Sequence, residues 1–360
     1  MSGGVGVLSV AVAFPPVLRL NRYWEERHPE MVSGARDTAR PSSAPSSDDP
    51  LTLAMRPFMK DPFRGAIARR FLAPGQTALD LECDAATQAL KAAGLKPHEV
   101  DLALVGSFLP DQIGVGNAAL LAHRLGLVGN ALNIESTATS GIAGLEIATS
   151  QVRSGTAKRV LVVVSCSYSR AVEKTDSRIW SVGDGAAAYV VGEVPRKEGV
   201  LATYGLQAAE SREVFCDLDP DGRAADASAA PSNAVRGAAE MNLLECTEGV
   251  LEKAGVRLDR IDFFVTTTPV AWFSRFAAAV LGFEQSRTID THALYANAGP
   301  VLVPANLHAA ASAGRIHKGD LVLLYQTGSV SGRMAAIMRW GDVALGPLPA
   351  EGVADLPAAA

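Results

Sequence analysis

The sequence predicts a duplicated α/β protein, because a unit of helix, turn and strand occurs twice and a second pair of segments repeats in the same order. Four residues of the first unit recur 161 positions later: Leu90, Ala93, Gly94 and Asp101 match Leu251, Ala254, Gly255 and Asp262. Each copy, over 85–108 and 247–268, has the pattern of an apolar helix that stops at a glycine and leads to an apolar strand. Self-similarity at a fixed offset indicates a duplicated architecture.

The second pair of segments, 133–167 and 288–329, runs through strand, polar loop, apolar helix and strand in both halves. Gly155 and Gly314 end the two predicted helices at an offset of 159. The same offset places Ala138 opposite Asn297, each in a loop that opens a helix. We therefore expect the two loops to converge near one pseudo-twofold axis.

Composition agrees with a large aliphatic core and excludes two classes of partner. The 360 residues are 48% hydrophobic but only 6% aromatic, which is typical of helices packed closely on sheets. The net charge is -5 and no run of Lys and Arg occurs, so we expect neither nucleic acid nor a membrane as a partner. The N-terminus lacks the pattern of a signal peptide, which predicts a cytoplasmic protein.

We predict two halves, 1–208 and 209–345, followed by a disordered tail over 346–360. The segment at about 32–50 is rich in Ser, Pro and Asp and is expected to be a mobile insert of the first half. The segment 210–233 has the same character and should link the halves. These boundaries follow from composition alone.

Three of the four cysteines are predicted to be structural and the fourth an ordinary thiol, since their spacing fits no metal site and none is a predicted nucleophile. Cys83, Cys166 and Cys246 lie in apolar helix or strand patterns, and Cys216 lies in a polar insert. No metal is expected. Five of the six histidines are predicted to lie on polar surfaces: His28, His98, His123, His308 and His317.

The loop 135–141 is the candidate for chemistry. It follows a strand that ends at Ile134 and leads into an apolar helix, so the N-terminus of that helix should be buried. A buried helix N-terminus stabilises developing negative charge and lowers the pKa of a thiol placed there. Hydroxyl side chains crowd this loop, although Ser and Thr are also the preferred helix caps: Ser136, Thr137, Thr139 and Ser140.

Five motifs together resemble the thiolase superfamily, and most closely its β-ketoacyl-acyl carrier protein synthase III branch. They are Ala138-Thr139-Ser140-Gly141, Ser154-Gly155, Gly183-Asp184-Gly185-Ala186, Asn297-Ala298-Gly299 and Thr327-Gly328-Ser329. The resemblance covers almost the whole chain and implies a thiolase-like five-layered αβαβα fold with internal duplication and pseudo-twofold symmetry. It also implies a homodimer and acyl transfer, with acyl-CoA or acyl-phosphopantetheine on an acyl carrier protein as substrate and no permanently bound cofactor.

The resemblance implies a Cys, a His and an Asn at the catalytic centre, and only the Asn is present. The position of the nucleophilic Cys falls on Ala138, and the position of the His falls on Thr267. The Asn is Asn297, seven residues before Pro304. His292, five residues before Asn297, is a candidate base, or else a loop histidine without a catalytic role.

Ala138 has three explanations, because a methyl group cannot attack a thioester. The residue is an engineered replacement of Cys or Ser, or a neighbouring Ser136 or Ser140 is the nucleophile, or the protein is a silent partner subunit. The first is slightly favoured, since the pattern around Ala138 is intact.

The resemblance places Arg64 and Arg178 near the phosphate and adenine of coenzyme A, and guanidinium groups suit phosphate. A further arginine of the family falls on Trp272, which either packs on a pantetheine arm or is an ordinary partly buried Trp. Gly328 completes the predicted thioester-binding set. Because Trp272 offers no charge, we expect weaker dependence on free coenzyme A and a larger role for a carrier protein.

Two classes of function stay open. The first is an acyltransferase that moves an acyl group from a carrier-protein or coenzyme A thioester to a small-molecule acceptor in natural-product biosynthesis of polyketide or antibiotic type. The second is a catalytically silent binding or partner subunit. A decarboxylative condensing enzyme is an alternative, but the loss of one oxyanion donor costs roughly 100 to 1000-fold in rate.

Overall fold

Two β-sheets with helices between and outside them form the body of the protein. The computed structural model describes residues 3–38, 49–112, 114–207, 232–328 and 332–354. The strands are β1 (Gly4–Ala13), β2 (Val17–Leu20), β3 (Ala68–Phe71), β4 (Leu102–Phe108), β5 (Asn130–Asn133), β6 (Arg159–Ser167), β7 (Asp184–Val194), β8 (Gly199–Gln207), β9 (Phe263–Thr266), β10 (Leu321–Thr327), β11 (Gly332–Arg339), β12 (Ala344–Leu345) and β13 (Val353–Ala354). The helices are α1 (Asn21–Arg27), α2 (Pro29–Thr38), α3 (Pro50–Met55), α4 (Ala78–Ala92), α5 (Ala118–Leu125), α6 (Ser140–Arg153), α7 (Ser232–Ala254), α8 (Phe273–Leu281), α9 (His292–Tyr295) and α10 (Leu302–Ser312).

The two large sheets repeat one topology. The first has the strand order β12-β1-β7-β6-β4-β5 and the second the order β8-β11-β10-β9. The segment β1-β7-β6-β4 matches the whole second sheet: two antiparallel pairings are followed by one parallel pairing in both. A small third sheet has the order β13-β2-β3. The predicted internal duplication is therefore confirmed.

The repeated aspartates perform the same task in both halves. Asp101 Oδ2 accepts hydrogen bonds from the backbone N–H groups of Lys158 and Arg159, at 2.7 and 2.9 Å. Asp262 Oδ2 accepts one from the N–H of Leu321, at 2.8 Å. Each carboxylate thus holds the start of the neighbouring strand, β6 or β10, which explains why the residue recurs at a fixed offset.

Helices α6 and α10 form the central layer. Ile142 and Leu145 of α6 pack in one buried cluster with Val303 and Leu307 of α10, together with residues of both large sheets. Helices α4 and α5 cover the outer face of the first sheet, and α7 and α8 cover that of the second. The layers therefore follow the order αβαβα, as predicted.

Gln326, near the end of β10, joins the beginnings of the two central helices. Its Nε2 donates to the Pro300 carbonyl at 3.1 Å, and its Oε1 accepts from the N–H of Ile142 at 3.2 Å. The side chain is fully buried. A Cβ atom on Gly141 would lie 3.1 Å from Gln326 Oε1 and 3.2 Å from the Pro300 oxygen, so only a glycine allows this approach without displacement.

Two segments predicted to be flexible contain regular secondary structure where the structure describes them. The expected mobile insert at 32–50 is helical in α2 as far as Thr38, and 39–48 lie outside the described residues. The tail predicted to be disordered is ordered to Ala354, because its backbone groups bond to the body: Gly346 N–H donates to the Val10 carbonyl, and β13 pairs with β2. The rest of the tail, 355–360, and residues 210–231 of the predicted linker 210–233 lie outside the described residues, so the division into halves stays a prediction.

We expect Gln326→Met to destabilise the protein by about 3 kcal/mol, because it leaves the Ile142 N–H and the Pro300 carbonyl buried without partners. The free energy of unfolding from urea titration measures this change. Gln285→Met, at an exposed position, is the matched control and should change the free energy by less than about 0.5 kcal/mol. Equal stability of the two variants would contradict the role assigned to Gln326.

Candidate active site

Ala138 lies in a 3₁₀ turn, Thr137–Thr139, that leads directly into α6. Its side chain is half-buried. Thr137 has a φ of 46°, which is a strained conformation for a β-branched residue. Glu135 stabilises it, since its Oε1 accepts from the Thr137 N–H at 2.8 Å. Backbone strain of this kind is concentrated at functional sites, and here it fixes the position of residue 138.

The hydroxyl groups around Ala138 are bonded to the loop itself. Ser136 Oγ and Thr139 Oγ1 are 2.7 Å apart, and Ser140 Oγ donates to the Thr137 carbonyl at 2.8 Å. Within the described part of the chain, no imidazole bonds to Ser136 or Ser140. Because a serine nucleophile needs an adjacent base, these contacts favour the capping role over the catalytic one.

Asn297 lies in the second loop, as predicted. Its N–H donates to the Ser181 carbonyl and its carbonyl accepts from Gly183 N–H, at 3.0 and 2.9 Å. Its Oδ1 accepts a hydrogen bond from the N–H of Gly299 at 3.0 Å. The other side-chain amide atom, Nδ2, has no hydrogen-bond partner among the described residues. The following turn, Gly299–Val301, leads into α10 and contacts the turn of Ala138. The structure thus brings the two predicted loops together.

Gly328 lies against the same turn. A Cβ atom at this position would be 2.9 Å from Thr137 Oγ1, so the close approach requires glycine. Ser329, which follows it in the predicted motif, lies outside the described residues. Gly328 therefore belongs to the neighbourhood of Ala138, where the resemblance places it.

Thr267 follows β9 and is buried, with its N–H bonded to the Tyr325 carbonyl at 2.9 Å. Its neighbours are held by Asn306 of α10, which sequence reasoning missed. Asn306 Nδ2 donates to the Thr266 carbonyl at 2.8 Å, and its Oδ1 accepts from Thr291 Oγ1 at 2.7 Å. The signal for Asn306 is a polar residue between apolar neighbours in the mainly apolar helix Leu302–Ser312.

His292, five residues before Asn297, is buried, with 2% of its surface exposed. Its Nδ1 lies 2.9 Å from the Thr268 carbonyl oxygen. Because a carbonyl only accepts, Nδ1 carries the proton and Nε2 carries the lone pair. Burial is the main cause that lowers the pKa of His292 to about 4; the hydrogen bond to Thr268 opposes it, and the positive charge of Arg69 adds to it. The imidazole is therefore neutral at pH 7, with Nε2 available as a proton acceptor.

The residues predicted to contact coenzyme A have protein contacts of their own. Arg64 is exposed, and its Nη1 donates to the Met59 carbonyl at 3.1 Å. Arg178 is bonded to its neighbour Asp176, whose Oδ2 accepts from Nε at 2.8 Å and from Nη2 at 2.5 Å. A phosphate at Arg178 would have to compete with this carboxylate. Trp272 is half-buried and packs against the rings of α8, which favours its ordinary structural role.

The described cysteines, Cys83, Cys166 and Cys246, are buried and free. Burial raises the pKa of the Cys83 thiol to about 11 and that of Cys246 to about 12, and it raises the pKa of Cys166 well above the ordinary value. These thiols are therefore unreactive, whereas Cys216 lies outside the described residues.

The surface prediction for His308 is wrong: it is buried, and its Nε2 bonds to the Gly346 carbonyl in the ordered tail.

The described residues contain neither a metal-binding cluster nor a membrane-spanning helix. Within these ranges, no group of three or more His, Cys, Asp or Glu side chains is arranged to hold a metal ion. None of the described helices combines the length and the apolar character that crossing a membrane requires.

A duplicated αβαβα fold in which two buried helix N-termini meet at one loop pair defines a thiolase-like protein. Models of 3-oxoacyl-(acyl-carrier-protein) synthase III match 132–208, and models of its C-terminal part match 251–340. The chain is 30% identical over 289 residues to the beta-ketoacyl-(acyl-carrier-protein) synthase III of Rhizobium meliloti, covering 77% of this chain and 89% of the relative. It is 30% identical over 297 residues to synthase III 3 of Streptomyces coelicolor, covering 78% and 88%. The chain therefore belongs to the 3-oxoacyl-(acyl-carrier-protein) synthase III family.

Solved structures confirm the fold. The 3-oxoacyl-(acyl-carrier-protein) synthase III of Aquifex aeolicus superposes with a TM-score of 0.78 at 24% identity, over 94% of this chain and 100% of that one. The C143A variant of OleA from Xanthomonas campestris superposes with a TM-score of 0.75 at 18% identity, over 94% and 98%. The five-layered thiolase-like architecture predicted from the sequence is confirmed.

The buried neutral His292 predicts how stability depends on pH. Its pKa is about 4 in the folded state and about 6.5 when unfolded, so the unfolded chain binds more protons between these values. The free energy of unfolding should fall as pH is lowered from 6.5 to 4, with His292 contributing up to about 3 kcal/mol. Urea titrations of wild type and His292→Gln at several pH values measure this contribution. Gln can still donate to the Thr268 carbonyl but does not titrate, and identical pH slopes for both proteins would contradict the assignment.

Proposed function

We propose that the protein is an acyltransferase that moves an acyl group from a thioester to a hydroxyl or amine acceptor in natural-product biosynthesis. The observation that carries this proposal is His292, a buried and neutral imidazole with a free Nε2 lone pair, on the segment that leads to Asn297. A base of this kind accepts the proton of an attacking hydroxyl or amine. Thr267, at the position where the resemblance implies a histidine, cannot do so.

The N-termini of α6 and α10 support binding of the thioester. Both turns, Thr137–Thr139 and Gly299–Val301, contact each other and begin buried helices. Their positive dipole ends and the unpartnered Nδ2 of Asn297 suit an oxygen on which negative charge grows. This arrangement stabilises the tetrahedral intermediate of acyl transfer whatever side chain residue 138 carries.

Ala138 cannot carry the acyl group, so in this sequence the acceptor attacks the thioester directly. The acceptor oxygen or nitrogen forms the new bond to the acyl carbon while its proton passes to Nε2 of His292. The carbon–sulfur bond then breaks, and the leaving thiolate takes the proton back from the imidazolium. With Cys or Ser at position 138, the same site would transfer the acyl group in two steps through an acyl-enzyme.

The donor is proposed to be a thioester on an acyl carrier protein, with acyl-CoA as a second donor. The bonding of Arg178 to Asp176 and the uncharged Trp272 support weak recognition of free coenzyme A. The relatives are named as synthases that act with acyl carrier protein, which supports this donor class. The homodimer stays a prediction, supported by exposed Leu132 on β5, an edge strand of the first sheet.

Decarboxylative condensation and a silent partner subunit are the two alternative functions. Decarboxylative condensation is supported by the names of the relatives, but Thr267 lacks the imidazole that the resemblance implies at the enolate oxygen. A silent partner subunit is supported by Ala138. The polarised site and the neutral His292 oppose it, because a silent subunit has no need of a base.

Acyl transfer to hydroxylamine tests the proposed function. With butyryl-CoA as donor, the protein should form the hydroxamate faster than the uncatalysed reaction, and His292→Gln should lower the rate about 100-fold. The coloured ferric hydroxamate complex measures the product. His317→Gln, at an exposed position, is the matched control and should keep the wild-type rate. An unchanged rate for His292→Gln would remove His292 from the mechanism.

Ala138→Cys should become acylated. The introduced thiol lies at the N-terminus of α6, where the helix dipole lowers its pKa, so it should gain the mass of the acyl group from butyryl-CoA. Intact mass spectrometry measures the addition. Ala92→Cys is the matched control, since Ala92 is equally half-buried but ends α4, where the dipole has the opposite effect. Acylation of a native cysteine or serine, or equal labelling of both variants, would show that the nucleophile position is assigned wrongly.

Ala138→Cys should not decarboxylate malonyl thioesters efficiently. Thr267 supplies no imidazole at the enolate oxygen, a loss that typically costs roughly 100 to 1000-fold in rate. The double variant Ala138→Cys/Thr267→His restores the residue types that the resemblance implies and should release carbon dioxide faster. Release of carbon dioxide from malonyl carrier protein measures both rates, and fast release by the single variant would refute the prediction.

A further inference from the structure

Arg69 of β3 is a fully buried cation with one unused donor. Its guanidinium lies 4.7 Å from the ring centre of Trp24 and 5.4 Å from that of Phe63. Nε donates to the Trp180 carbonyl and Nη1 donates to Asn21 Oδ1. Nη2 is buried and has no hydrogen-bond partner among the described residues. The guanidinium is thus held by two hydrogen bonds, and its third nitrogen is buried without one.

No carboxylate within the described ranges forms an ion pair with this charge. Asp61 raises the pKa of Arg69 from a distance, but its own oxygens accept from the N–H groups of Phe63 and Gly65, at 2.9 and 2.7 Å. Burial lowers the pKa of Arg69 to about 9, so the group remains charged at pH 7. An unpaired buried charge is costly, and a group of this kind is a functional-site candidate.

Arg69 lies beside the proposed catalytic segment. The N–H of Ile67, two residues before it, donates to the Ala293 carbonyl at 3.0 Å, next to His292. The Trp180 carbonyl that Arg69 binds precedes Ser181, whose carbonyl accepts from the Asn297 N–H. The guanidinium therefore contacts the segment that positions Asn297, and the backbone two residues before Arg69 bonds to the residue after His292.

We propose that Arg69 binds a carboxylate carried by one of the two reactants, either the acyl chain of the donor or the acceptor. This inference rests on the proposed function only for the identity of that reactant. A carboxylate matches the paired Nη1 and Nη2 donors of a guanidinium in a bidentate bond. In the structure, the neutral Oδ1 of Asn21 accepts a hydrogen bond from Nη1. One carboxylate oxygen would take its place at Nη1, and the other would bind the unused Nη2. Asn21 is half-buried at the start of α1, so the ligand reaches Arg69 by displacing this side chain.

Binding of succinate tests the site without any reaction. Because Trp24 packs on the guanidinium, succinate should change the tryptophan fluorescence of the wild-type protein in a saturable way. Succinamide, which has the same size but no charge, should not do so at equal ionic strength. Arg69→Lys keeps the charge but loses the fork, and it should weaken succinate binding about tenfold. Arg22→Lys, an exposed arginine on α1, is the matched control and should bind as wild type does.

The site would be overturned if succinate and succinamide gave the same response, or if Arg69→Lys bound succinate as tightly as Arg22→Lys. The wild-type comparison of the two ligands stands even if Arg69→Lys does not fold. Circular dichroism of both variants shows whether the fold is retained.

Transfer assays then identify the reactant. A preference for succinyl-CoA over butyryl-CoA that Arg69→Lys abolishes assigns the carboxylate to the donor. A preference for glycine over glycinamide as acceptor that the variant abolishes assigns it to the acceptor. Succinate binding at Arg69 without any acyl transfer would overturn the proposed function and leave the carboxylate site intact. Acyl transfer without succinate binding would overturn the carboxylate site and leave the proposed function intact.

Discussion

The buried contact between the beginnings of α6 and α10 is the constraint on which the rest of the site depends. Two helix N-termini that point at one small volume bring partial positive charges together, and this is unfavourable unless the contact is held. Gln326 holds it, since its amide accepts from Ile142 of one helix and donates to the Pro300 carbonyl that precedes the other. Gly141 lets the backbones approach closely enough for both bonds.

This constraint explains why the electrostatic field at residue 138 does not depend on the side chain there. The field of the helices comes from the backbone, so replacing the side chain at Ala138 leaves it in place. The nearby groups are fixed by separate contacts. The backbone of Asn297 bonds to Ser181 and Gly183, and the ring of His292 bonds to the Thr268 carbonyl. The alanine at position 138 therefore leaves the environment proposed for the thioester in place.

The sequence predicted those parts that repeat or that depend on local pattern. Asp101 and Asp262 recur because each holds a strand start, and the loops of Ala138 and Asn297 could be found from the helices that follow them. Arg69 could not be predicted, since its partner Trp180 is 111 residues away and an arginine in a short strand suggests a surface position. The ordered tail was missed for a similar reason: backbone hydrogen bonds to β1 and β2 hold it, and these leave no pattern in the side chains.

The positive charge of Arg69 and the basicity of His292 are linked through electrostatics. Burial is the main cause of the low pKa of His292, and Arg69 lowers that pKa further because a like charge disfavours the imidazolium. If Arg69 binds a carboxylate as proposed, the bound anion neutralises this second effect, and the pKa of His292 rises toward its ordinary value. The imidazole then accepts a proton more readily when the reactant is bound than when the site is empty. Such a link would favour proton removal from an acceptor only after the carboxylate-bearing reactant has entered the site.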